Sequence, residues 1–88
     1  MTWGIQVAAS AERSLTRLPP GVAAAIVEFI VGPLADEPTR VGKPLQRELV
    51  GYHSARRGAY RIVYRIVPEG RVVRVVRIEH RSDVYRTR

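Results

Sequence analysis

Cysteine is absent, so neither a disulfide framework nor a cysteine-ligated zinc site is open to this chain. That absence agrees with a reducing, cytoplasmic setting. Histidine occurs only twice, as His53 and His80, and two histidines without a carboxylate cluster make a poor metal site. No metal or other cofactor is expected. Long hydrophobic runs are missing too. The longest, Val22 to Val31, is interrupted by Glu28 and is too short to cross a bilayer. The N-terminal MTWGIQV has neither the basic start nor the apolar core of a secretory leader. No membrane partner is expected. There are no internal repeats and no low-complexity segment.

Lysine is nearly absent as well: Lys43 stands alone against fourteen arginines. The net charge of +7 is unevenly spread. Residues 1–39 carry two basic and four acidic side chains; residues 40–88 carry thirteen basic and four acidic. Arginine presents a planar fork that pairs with phosphate in bidentate fashion and stacks on bases. A polyanion, nucleic acid first among them, is therefore the leading partner class. The competing reading is a merely solvated basic surface. With 88 residues, 45% of them apolar, the chain suits one small domain, residues 1–88, with one core.

Alternation of Trp3, Ile5 and Val7 with Gly4 and Gln6 predicts a short strand over 3–8. Ser10 is placed to cap a helix carrying Ala11, Leu15 and Leu18, ended by Pro19-Pro20-Gly21. Pro20 suits the first turn of a second helix, whose face is Val22, Ile26, Phe29 and Ile30 and whose stop is Gly32-Pro33. Residues 33–47 read as irregular. Strands are then expected over 49–56, 59–67 and 71–79, joined by turns at Gly58 and at Pro68-Glu69-Gly70. The expected class is α+β: an N-terminal strand, a helical hairpin and a three-stranded antiparallel meander. Both helices pack on one face of a curved sheet, antiparallel or mixed, and arginines line the other.

The stretch HSARRGAYRIVYRI, residues 53–66, concentrates the question of function. Within it Tyr60, Ile62, Tyr64 and Ile66 share one strand face; Arg61, Val63, Arg65 and Val67 share the other. Arg61 then lies near a turn on the open face, Arg56 comes from the preceding strand and Arg81 from the end of the last. Three arginines from neighbouring strand ends suit one phosphate. Arg65, Arg71, Arg74 and Arg77 read as solvated charges that guard against edge pairing. His53 is a candidate base. Ser54 beside it does not make a serine hydrolase, because adjacent strand residues point to opposite faces. Lys43, Arg47, Ser54 and Arg57 are candidate RNA-binding residues, Lys43 and Arg47 for backbone phosphates. Tyr85 either anchors the C-terminal segment or stacks on an unpaired base.

Taken in order, GKPLQRELVGYHSARRGAYRIVYRI and IEHRSDVYR resemble the RelE/ParE superfamily of bacterial type II toxins. The lead-in GKPL…L-x-G, the hairpin R-x-G-x-Y-R-[IV]-V-Y, the closing H-R-x-D-V-Y and an early L-x-x-L-P all occur. The HSARRG variant is similar to actinobacterial RelE toxins. The resemblance implies a microbial-ribonuclease-like fold and an endoribonuclease that cuts mRNA in the ribosomal A site. It also implies an acidic, RelB-like antitoxin through which the complex binds operator DNA. By position, Arg61, Arg81, Tyr85 and Arg56 match the family's catalytic residues. Ser54 stands where many members carry a basic residue, which leaves the general base open, with His53 adjacent. The ParE branch, which poisons DNA gyrase, and a non-catalytic nucleic-acid-binding module are the alternatives. Arg61, Arg81 and Tyr85 together favour RelE.

Overall fold

A computed structural model describes residues 2–82 of the chain. Strand β1 (Gly4–Val7) leads into helix α1 (Ala9–Arg17) and helix α2 (Pro20–Phe29). The short β2 (Lys43–Pro44) precedes β3 (Tyr52–Arg57), β4 (Tyr60–Val67) and β5 (Val72–His80). The sheet runs β1-β5-β4-β3-β2, with β1 parallel to β5 and every other pair antiparallel. The expected meander and helical hairpin are present, and the sheet is of the mixed kind. Both helices cover one face, where Ala11, Ile26, Ile30 and Leu34 pack on Ala55, Ile62, Tyr64, Val73, Val75 and Ile78. No helix among the described residues is long and apolar enough to cross a membrane.

Three local expectations are corrected. Ser10 does not cap α1: the cap position is the extended Ala8, and Ser10 sits inside the helix, its Oγ donating to the Val76 carbonyl at 2.8 Å. Gly32-Pro33 does not stop the second helix. The chain widens into a π turn, Ile30–Leu34, in which the Ala35 N–H reaches back to the Ile30 carbonyl. The wider turn carries Pro33 past the carbonyl it would strike in an α-helix. It also buries Leu34 and Ala35 in or beside the core. Finally, β3 begins at Tyr52 rather than at 49, because Arg47–Leu49 form a 3-10 turn and Gly51 takes φ +95°.

The β3–β4 turn is as tight as its glycine allows. Gly58 has φ +61° at the first of two central positions, the II′ pattern that matches strand twist. Gly42 is glycine for another reason. A Cβ there would collide with the Tyr64 hydroxyl and the Ser54 carbonyl. Gly42→Ala is therefore expected to cost about 1–3 kcal/mol, because backbone cannot yield as a side-chain end does. Urea unfolding of the variant checks this; an unshifted midpoint would contradict the packing.

One irregularity decides which residues face outward. Val63 pairs with Arg77, but Tyr64 pairs with Val75, so β5 carries one extra residue at Val76. A bulge of this kind reverses the alternation beyond it. Val73 and Val75 point to the core before it, Ile78 after it, and Glu79 is thereby placed opposite Arg61. The Ala8 N–H donates to Val75 O and Ser10 Oγ to Val76 O, both at 2.8 Å, so the start of α1 occupies the carbonyls around the bulge.

Candidate RNA-binding site

On the face opposite the helices, residues from neighbouring strands fall into rows. The first row is Arg56–Arg61–Glu79, set by the register of β3, β4 and β5. Like charges directly opposite one another, here Arg56 and Arg61, are destabilising. Glu79 relieves this on one side. Its Oε1 accepts from Arg61 Nη2 at 3.0 Å and Nε at 3.3 Å, and its Oε2 accepts from Arg77 Nη1 at 3.2 Å. The Arg61 side chain is 28% exposed and that of Glu79 19%, so the pair is partly shielded while the guanidinium keeps its remaining edge. One carboxylate between two guanidiniums leaves positive charge over, and Arg56 adds to it.

Beside this row lies a cleft of about 380 Å³ lined by Val41, Gly42, Lys43, Ser54, Ala55, Arg56 and Arg61. Four of the residues singled out from the sequence, Lys43, Ser54, Arg56 and Arg61, thus meet in one concavity. Lys43 arrives because β2 pairs with β3 in the register Lys43↔Ser54. Arg81 stands at the same end of the sheet, two residues beyond the row. Its backbone N–H donates to Ala59 O at 2.7 Å, which holds it against the hairpin turn, and it is exposed. Tyr85 lies outside the described residues.

The structure does not bring the others to this cleft. His53 points to the helix-covered side, stacked on Tyr64 with ring centroids 5.6 Å apart, its Nδ1 buried without a partner among the described residues. The expectation of His53 beside the arginines is corrected by strand alternation: His53 shares parity with Ala55, not with Arg56. Arg57 likewise faces the other side, lining an apolar groove with Gly21, Val22 and Tyr60. Arg47 is exposed on the 3-10 turn at φ +61° and is not among the residues lining the cleft. His80 packs edge-on against Tyr60, its Nδ1 2.8 Å from Ser82 Oγ. Among the described residues no three His, Asp or Glu side chains gather to hold a metal. Glu79 is the site residue that sequence reasoning missed, because its facing depends on the bulge.

The chain thus has a small mixed sheet with a helical hairpin on one face and a basic cleft on the other. Residues 5–85 match the family model described as ParE toxin of type II toxin–antitoxin system. The chain belongs to this ParE/RelE family of type II toxins. It is 51% identical over 86 residues to toxin RelG of Mycobacterium tuberculosis, covering 98% of this chain and 99% of that one. To toxin RelE of the same organism it is 50% identical, covering 93% and 84%. A chain of the RelBE2 toxin–antitoxin complex of M. tuberculosis superposes with a TM-score of 0.89 at 49% identity, over 94% and 95% of the two chains.

Proposed function

We propose that this toxin is an endoribonuclease that cuts messenger RNA on the ribosome, in the manner of the RelE branch. The observation that carries the reading is the cleft in which Lys43, Arg56 and Arg61 converge, with Arg81 at the same end of the sheet. Cleavage by RNA's own 2′-hydroxyl needs that proton removed, charge stabilised on the pentavalent phosphate and a proton delivered to the leaving oxygen. Oriented guanidiniums on rigid strands meet the second need without a metal. Arg61 is held by Glu79 in one orientation, so little freedom is lost when phosphate arrives. Tyr85 serves to stack a base and hold the strand in line. No imidazole lines the cleft, which suits an enzyme whose substrate is oriented by the ribosome rather than by a complete acid–base pair of its own.

The partner that restrains it is an acidic, RelB-like antitoxin, as in the complex named for its relative, and the pair acts in the cytoplasm as a single-domain toxin with its neutraliser. Charge complementarity with a +7 chain speeds that encounter. Operator binding belongs to the antitoxin part of the complex. The family description itself names ParE, so inhibition of DNA gyrase is the second reading.

Induction of the toxin in growing cells, with new RNA 5′ ends mapped on translated messages, separates the two. Codon-phased cuts are expected. Intact messages with a DNA-damage response would instead support gyrase.

A further inference from the structure

Two rows away from Arg61, the same face carries a second set of groups. Register places Tyr52 of β3, Arg65 of β4, Arg74 of β5 and Gln6 of β1 in one line across four strands. Arg65 and Arg74 are exposed and directly opposite each other. Such a pair repels. Among the described residues neither has an acidic partner; Arg74 Nη1 donates instead to Gln6 Oε1 at 3.3 Å. The contrast with Arg61 and Arg77 is plain, since both of those share Glu79. Buried Val63 lies between the two rows and lines a cleft with Glu48, Leu49, Tyr52, Val76 and Arg77. By register the second set lies about 14 Å along the strands from Arg61, at the rise of four strand residues.

We propose that Tyr52, Arg65, Arg74 and Gln6 form a second single-stranded RNA subsite, which grips the strand away from the scissile phosphate. Two opposed guanidiniums with no carboxylate between them suit one backbone phosphate. The aromatic ring at one end of the row offers a stacking platform, and the amide at the other fixes Arg74. Exposed polar groups set in line across the sheet suit an extended single strand. The subsite rests on the RNA reading above, and it gives the toxin a way to hold message on both sides of the cut.

The test uses the full chain and a fluorescent single-stranded 2′-O-methyl oligonucleotide, which binds but is not cut. Affinity is measured by anisotropy over a range of salt. The double variant Arg65→Gln/Arg74→Gln is expected to flatten the log–log salt slope by about 0.7, the loss of one phosphate contact. Arg13→Gln/Arg17→Gln removes the same charge from α1 and should leave the slope nearly unchanged. Tyr52→Leu should weaken binding about 5- to 150-fold without changing the slope, and Tyr52→Phe should restore it. An unchanged slope in the sheet variant, an equal change in the α1 variant or no binding by the parent chain overturns the subsite. So does loss of antitoxin binding by the sheet variant with RNA binding intact, which would assign the row to the protein partner. If the slope shifts as expected but induced cells show no message cleavage, the nuclease reading falls and the subsite stands.

Discussion

Arg81→Ala is expected to keep the fold and lose about 10²–10³-fold in cleavage rate, the usual cost of one oriented donor to a developing oxyanion. Arg81 is the cleanest arginine to remove. It is exposed, and its structural hydrogen bond to Ala59 O is made by the backbone, which alanine retains. Arg61→Ala should be at least as damaging to catalysis, yet harder to read. It leaves Glu79 partly buried with Arg77 alone, so charge and packing change together. The measurement is growth arrest and message cleavage at matched expression, with the circular dichroism spectrum as the control for folding. Undiminished toxicity of Arg81→Ala would remove Arg81 from the mechanism.

The second large effect is on stability and lies at alkaline pH. Tyr64 is fully buried, and its hydroxyl donates to the Pro38 carbonyl at 2.6 Å. Burial raises its pKa from the ordinary 10.0 to about 12. The folded chain therefore keeps a proton that the unfolded chain releases above pH 10. Stability from this group is fully present below pH 10 and is lost as pH rises toward 12, by roughly 2–3 kcal/mol in all. Against a total of about 5–15 kcal/mol for small domains, that is a visible step. Tyr64→Phe should cost about 1–3 kcal/mol at neutral pH, because it orphans the Pro38 carbonyl, and should abolish the alkaline step. Urea unfolding from pH 8 to 12 checks both. The same step in the phenylalanine variant would assign it to another group.

His53 shows how far strand alternation reaches. Alternation separates Ser54 from His53, and the same alternation separates His53 from Arg56 and Arg61. Its place beneath the helices, against Tyr64, was thus legible in the strand pattern. Ser10 was not. Its capping signal is sound as local chemistry, but the Val76 carbonyl freed by the bulge competes for the hydroxyl, and that carbonyl is 66 residues away in sequence. Gly32-Pro33 misled similarly, since a proline ends a helix only when the turn stays narrow.

By itself the sequence determined the charge asymmetry, the two helices, the meander and its Gly58 turn, and the placement of Arg61 on the face opposite Tyr60, Ile62 and Tyr64. Each of these follows from local periodicity or composition, where neighbours along the chain set the outcome. Only the tertiary structure decided that β1 lies parallel against β5, that Lys43 reaches the arginine cleft through β2, and that Glu79 faces Arg61. The reason is physical. Strand order and a single inserted residue at Val76 are fixed by how the helices, the core and the pairing groups satisfy one another across the chain, and a shift of one residue turns every later side chain to the opposite face.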